Sequence, residues 1–457
     1  MRLVSMIALL GLTACNPVQN AQVSKNYTEA GTNGMGFAAM QSFGPVVTTR
    51  TQRANAETAH DFLDLEFRME SGRANPSFSR FEGPITVALK GDVPPTATAE
   101  MTRLISRFRS EAGLPISFAK PGDNPSITVE FQPRAQMARV VPMAACFVVP
   151  RVQSWAEYKA ERDGPKVNWT TMTSREHVSI FVPSDAAPQE VRDCLNEETA
   201  QAMGPLNDLY RLTDSVFNDD NFNSVLTGFD MMILRLHYAP ELRNGMNEAE
   251  VAKRVPAILA RINPQGEGGS ANFKRIAPRS WVAQVEGAFG PRGSNAQRLQ
   301  AANMMLSIAL AQGWQDARLG FSYYAKGRSL ANSDPVQAVA ALQEAARIYR
   351  AIPGAGLHVA HVDMQLAAVA LAAGQSEQAI AFADRAIPAV KRAENASLLA
   401  TLMLIKAEAL QNEGQVAEAR ALRLDSLGWA RYGFGSERQV RARMGEIANL
   451  GARGHRG

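Results

Sequence analysis

Cys194-Leu195-Asn196-Glu197-Glu198-Thr199-Ala200-Gln201-Ala202-Met203-Gly204-Pro205-Leu206-Asn207-Asp208 is the stretch on which the reading of this chain turns. It reads as a helix closed by Gly204-Pro205. Within such a helix Glu197 and Gln201 stand four apart and share a face, while Glu198 projects from a neighbouring position. A turn at Gly204 brings Asn207, with Asp208 beside it, back towards that face. Two acids, an amide and a second amide are thus aimed at one place.

The frame resembles that of the zincins, H-E-x-x-H, extended in one branch to H-E-x-x-H-x-x-G-x-x-H. In that likeness Glu198 holds the place of the general base, and Glu197, Gln201 and Asn207 hold the places of the three histidines. Histidine binds zinc through a neutral imidazole. Glutamine and asparagine offer only a carbonyl oxygen, which suits harder cations. The set Glu197, Gln201, Asn207 and Asp208 is therefore a degenerate metal site. No cofactor is expected, although a divalent metal at the oxygen-rich set is an open alternative. A further reading is that Glu197, Glu198 and Gln201 make buried hydrogen bonds where the metal would be. Serine-nucleophile, phosphate-loop and dinucleotide motifs are absent from the chain. His358 and His361 stand three apart on a helix, where they are expected to face solvent or to chelate a metal.

Outward from the motif, Val178, Ile180 and Val182 alternate as a strand that Pro183-Ser184-Asp185 ends. Further upstream, Ile85, Val87 and Leu89 form a strand, and Met101, Leu104, Ile105 and Phe108 a helix face that stops at Gly113. Ile116 with Phe118, then Ile127, Val129 and Phe131, give two more strands. Before these, Ala59, Phe62, Leu65 and Met69 make one apolar stripe on a helix capped by Asn55. Downstream, Asn218-Asp219-Asp220-Asn221 is a polar loop. Phe229, Met232, Ile233 and Leu236 make a buried helix, and Gly245-Met246 leads into another that runs through Leu259. The expected fold is an α+β domain, a mixed sheet with packed helices, followed by an all-α helical-repeat domain.

The second half carries the repeat. Gly374 precedes Ala379 and Gly414 precedes Ala419, five positions on in both; Ser333 before Ala338 is a weaker copy. A period near forty residues with small residues at fixed places resembles tetratricopeptide repeats. A non-repetitive helical bundle is the alternative. Residues 436–450 read as a capping helix.

The N-terminus reads as an address. Arg2 is followed by an apolar run from Leu3 to Gly11, too short to span a bilayer, and then by Leu12-Thr13-Ala14-Cys15. The small residues before Cys15 resemble the bacterial lipoprotein signal, which predicts cleavage before Cys15 and its acylation. The protein is then expected in the cell envelope, anchored to a membrane through Cys15 and facing the periplasm. The chain has three cysteines. With Cys15 acylated, Cys146 and Cys194 remain, and in an oxidising compartment they are expected to pair; two buried free thiols are the alternative. The expected organisation is a signal peptide at 1–14, a flexible tether at 15–54, the α+β domain at 55–262, a Gly/Pro/Ser-rich linker at 263–292, helical repeats at 293–450 and a tail at 451–457. The net charge of +4 on 457 residues is modest. Eight Arg and four acids within 415–457 account for all of it. This basic end reads as a solvated helical end, and no nucleic-acid partner is expected.

Several stretches together resemble the domain-of-unknown-function 2927 family of proteobacteria. They are Asp61 to Phe67, Glu70 to Arg73, Arg80 to Ile85, Cys194 to Asp208, and Leu236-His237-Tyr238 with Gly245-Met246. The resemblance implies a secreted or lipid-anchored envelope protein with a zincin-like domain of no established activity, in which only Glu198 carries over as a candidate base. The function expected is that of a non-catalytic, zincin-like pseudoenzyme whose helical repeats bind a protein partner. The alternative is a metal-dependent, peptidase-like hydrolase using Glu198 with unusual ligands.

Overall fold

The computed structural model describes residues 39–44, 51, 53–142, 144–290 and 293–454. Cys15, the signal-like segment and most of the expected tether lie outside the described residues. The chain divides into two compact units, 47–279 and 280–457, the latter together with the segment preceding 47.

The first unit is built on helices α1 (Asn55–Phe67), α2 (Ala97–Glu111), α3 (Arg134–Val140), α4 (Trp155–Glu161), α5 (Pro188–Met203), α6 (Gly228–His237), α7 (Glu248–Ala252) and α8 (Val255–Ile262). Its strands are β1 (Ile85–Gly91), β2 (Ile116–Phe118), β3 (Ile127–Gln132), β4 (Phe147–Pro150) and β5 (Val178–Pro183). They form one sheet in the order β2-β1-β3-β5-β4. The pairs β1–β2, β1–β3 and β3–β5 are parallel, and β4 runs antiparallel on β5, with Phe147 opposite Phe181. The mixed sheet with packed helices is thus present. β5 is buried along its whole length, as expected of a strand covered on both faces. One core joins the sheet to α2, α5, α6 and α8 through Ile85, Val87, Met101, Phe108, Val129, Ile180, Leu195, Met232 and Leu259. Each such side chain contributes roughly 1.5–3 kcal/mol by leaving water.

Three local expectations are corrected. Asn55 does not cap α1: Ala54 occupies that place, and the Asn55 amide instead donates to the Asn263 carbonyl at 3.0 Å and accepts from Asn263 Nδ2 at 2.8 Å. The helix expected to run through Leu259 is broken after Ala252. Pro256 lies near the start of α8, where a missing N–H costs nothing, but in a continuous helix its ring would meet the Ala252 carbonyl. Finally, the segment expected as linker begins with a 3-10 turn at 264–266 joined to α1 through Asn263 and Glu267.

The second unit is helical. It consists of α9 (Arg279–Phe289), α10 (Asn295–Ala311), α11 (Ala317–Leu330), α12 (Pro335–Arg350), α13 (Gly356–Ala372), α14 (Ser376–Arg392), α15 (Ala396–Asn412), α16 (Val416–Phe434) and α17 (Glu437–Gly454). α9 thus lies within the stretch expected as linker. From α10 onward, successive helices pack as neighbours. α13 and α15 start forty residues apart (396 − 356), as do α14 and α16 (416 − 376). Gly374 and Gly414 sit in the turns of equivalent pairs with φ of 74° and 79°, the left-handed backbone that glycine adopts without strain. Ala338, Ala379 and Ala419 each have no exposed surface, so the small residues mark where paired helices approach. Within this unit residues 39–44 lie on α16: Gln41 N–H donates to the Gly428 carbonyl at 3.1 Å, and the Phe43 and Trp429 rings lie 4.6 Å apart. His358 and His361, expected at the surface, are buried, and His358 packs on Tyr349 at 4.8 Å. Burial holds the His361 imidazole neutral, with its pKa lowered to about 3.

Candidate functional site

α5 is buried nearly all round, which for a helix carrying Asn196, Glu198, Thr199 and Gln201 on its inner faces demands polar partners. Pro188 opens it at a position where its missing N–H is no loss. Cys194 is joined to Cys146, just before β4, by a disulfide with Cα atoms 6.0 Å apart, so the helix is fixed to the sheet edge. Asn196 donates to the Arg192 carbonyl at 2.9 Å.

The C-terminal end is held by two side chains that sequence reading did not assign. Arg175 is 3% exposed and donates to the carbonyls of Gln201 at 2.9 Å and Ala202 at 2.7 Å. The Tyr238 hydroxyl donates to the Met203 carbonyl at 2.9 Å. Carbonyls that a helix end leaves unpaired are thus satisfied, with a cation at the negative end of the dipole. Gly204 lies outside the left-handed region, at φ −123°. A Cβ there would stand 2.8 Å from Leu234 Cδ2 and 3.2 Å from the Ala200 carbonyl oxygen, so a side chain at this position would force its neighbours to shift.

Beyond Gly204 the chain returns to the end of α1. Asn207 N–H donates to the Leu65 carbonyl at 3.3 Å and its Nδ2 to the Asp64 carbonyl at 3.0 Å. Asn207 therefore caps the last turn of α1. Gln201 Nε2 donates to Asp208 Oδ2 at 2.9 Å. The acids of the α1 stretch are also engaged: Arg211 binds Asp61 Oδ1 and Asp64 Oδ2, and Glu66 pairs with His237. His237, which the sequence showed only as part of the Leu236-His237-Tyr238 stretch, is fully buried, and burial lowers its pKa.

Glu197, Glu198 and Asp208 come together with two acids that the motif did not include, Glu70 from the loop after α1 and Asp219 from the polar loop. Glu198 is 5% exposed, and its Oε2 has no hydrogen-bond partner among the described residues. Burial, with the charges of Glu70 and Asp219, pushes its pKa up to about 8. Asp219 accepts from the Tyr210 hydroxyl at 2.7 Å, and burial, then Glu70, raises it to about 7. Glu197 and Asp208 are raised well above the usual carboxylate range, first by burial and then by neighbouring acids, Glu198 for the one and Glu70 for the other. Like charges that leave water together hold protons instead. Glu70 was visible in the quoted stretch Glu70 to Arg73, and Asp219 in the polar loop, but nothing in their spacing pointed to the motif. Among the described residues, no group of three His, Cys, Asp or Glu is placed to hold a metal ion. No described helix is long and apolar enough to cross a membrane.

With this geometry in place, the class of domain follows from comparison. Residues 55–257, within the α/β unit, match a family described as "Protein of unknown function (DUF2927)". No curated protein and no solved structure matches the chain.

Proposed function

We propose that this is a lipid-anchored envelope protein, held to a membrane through acylated Cys15 and facing the periplasm. In this reading its α/β domain is a non-catalytic, zincin-like scaffold and its helices are tetratricopeptide-like repeats that bind a protein partner. The observation that carries the proposal is the use made of the ligand positions. Asn207 caps α1 and Gln201 holds Asp208, so two of the three places where a zincin keeps histidine serve the fold. The forty-residue spacing of the helix starts supports the repeat reading, since stacked helix pairs form extended binding surfaces.

The test is elemental analysis of the purified chain lacking residues 1–15. A metal-free, normally folded protein is the expected result. Stoichiometric metal that disappears in a Glu197→Ala/Gln201→Ala variant would overturn the scaffold reading. A pull-down from envelope extracts with and without residues 293–457 tests the repeats, and release from membranes on Cys15→Ser tests the anchor.

One observation favours a second reading, a peptidase-like hydrolase with Glu198 as general base. A carboxyl poised near neutral pH with an unengaged oxygen has the character of a proton-transfer group. Hydrolysis of a peptide library that Glu198→Gln abolishes would establish it.

A further inference from the structure

Gly428 and Gly433 lie inside α16, where alanine would favour the helix. Each answers to a close approach, and the two approaches differ. A Cβ on Gly433 would stand 2.5 Å from the Ser397 backbone at the start of α15, so that glycine lets two helices pack. A Cβ on Gly428 would instead meet Gln41 Cγ at 2.6 Å, the Ala39 carbonyl oxygen at 3.0 Å and Gln41 Cδ at 3.0 Å. The notch at Gly428 therefore fits residues 39–44, not a neighbouring helix. That segment is seated as an extended ligand is. From Met40 to Gly44 exposed and half-buried residues alternate, with Gln41 and Phe43 turned inward. Gln41 N–H donates to the Gly428 carbonyl at 3.1 Å, and the Phe43 ring lies 4.6 Å from that of Trp429. Trp429 is itself packed on the small core of Ala400, Leu427, Ala430 and Val440, which fixes its ring for the contact. A main-chain hydrogen bond that sets register, with an aromatic anchor beside it, is how extended peptides are recognised. The whole α/β unit, 47–279, separates this segment from α16 along the chain.

We infer that the notch at Gly428 and Trp429 is a peptide-binding seat of the helical unit, and that residues 39–44 are its resident, self-masking ligand. The seat takes an extended segment with a backbone N–H at the Gly428 carbonyl and an aromatic side chain two residues further on. This rests on the reading of the helices as a partner-binding domain, and it names the surface and the peptide chemistry. Because the resident segment is part of the same chain, its effective concentration is on the order of millimolar. A partner segment of the same chemistry enters only as residues 39–44 leave. The hold is shallow enough for exchange, since Met40, Ser42 and Gly44 stay exposed while seated.

The experiment follows the fluorescence anisotropy of a labelled synthetic peptide with the sequence of residues 38–45, added to the full-length chain in detergent. Hydrogen exchange over residues 39–44 is read by mass spectrometry on the same samples. In the unaltered chain, slowed exchange over 39–44 and weak peptide uptake are expected. Phe43→Ala is expected to speed that exchange and to tighten peptide uptake by about tenfold or more, because the occupying competitor is loosened. Adding Gly428→Ala to Phe43→Ala is expected to abolish uptake with a melting temperature no lower than before, since alanine favours the helix. That combination separates loss of a seat from a folding defect. A labelled peptide carrying Phe43→Ala is expected not to bind. Free exchange of residues 39–44 in the unaltered chain, no peptide uptake by Phe43→Ala, or uptake unaffected by Gly428→Ala would each overturn the inference. Capture of a partner through residues 293–457 without peptide uptake at α16 would overturn the seat and leave the partner-binding reading standing.

Discussion

Glu198 ionises at about 8 in the folded chain, against a usual value of 4.5. Between those values the folded state holds more of this proton than the unfolded state. Stability from this group is therefore present at low pH, falls as pH rises, and is gone above about pH 8. Asp219, raised to about 7, acts in the same direction. Below about pH 6.5 the buried, neutral His177, His237 and His361 oppose this, because unfolding lets them take up protons. The melting temperature is thus expected to rise between pH 8.5 and pH 6.5. In Glu198→Gln the slope flattens, by at most about 1.4 kcal/mol per pH unit. Scanning calorimetry at stepped pH checks this, and an unchanged slope would show that Glu198 is not the group responsible. Asn207→Ala leaves the Asp64 carbonyl of α1 without its donor. A loss of about 1–3 kcal/mol in urea unfolding is expected. At this scale the sequence named Glu197, Glu198, Gln201, Asn207 and Asp208, but not what they do. Asn207 looks like a displaced ligand in one dimension and is a helix cap in three.

Among elements, α5 depends on its attachment to the sheet. The Cys146–Cys194 disulfide closes a separation of 48 residues. Reduction is expected to lower stability by up to about 4 kcal/mol on the loop-entropy account. Unfolding in denaturant with and without dithiothreitol measures it, and Cys194→Ser removes the effect of the reductant. In the helical unit, Ala379→Leu or Ala419→Leu inserts bulk at a fully buried position where small residues recur. A destabilisation of about 1–3 kcal/mol is expected, measured by the same method. Periodicity found β1, β3, β5 and α2, whose apolar residues recur at strand or helix spacing, while α5 was legible from its motif. It failed between α7 and α8, where Pro256 breaks the backbone while the apolar pattern continues. It also failed at His358 and His361, because the packing of α13 against its neighbours, not the pattern of α13 itself, buries both rings.

The whole molecule consists of two compact units that meet in sequence at 279 and 280. A chain cut to residues 47–279 is expected to fold alone, with a single cooperative transition and the Cys146–Cys194 bond intact. Circular dichroism and thiol titration would show it, and a molten, thiol-exposed product would refute it. The sequence by itself determined the strands, the motif helix, the choice of cysteines to pair and the forty-residue spacing. Local periodicity, turn chemistry and counting are properties of neighbours along the chain. Only the tertiary structure decided which acids stand beside Glu198, which side chains close the end of α5, and that Gln201 and Asn207 are held by the fold. Those facts depend on Glu70, Arg175, Asp219 and Tyr238, residues far apart in sequence that packing brings to one place, and no local pattern records such a meeting.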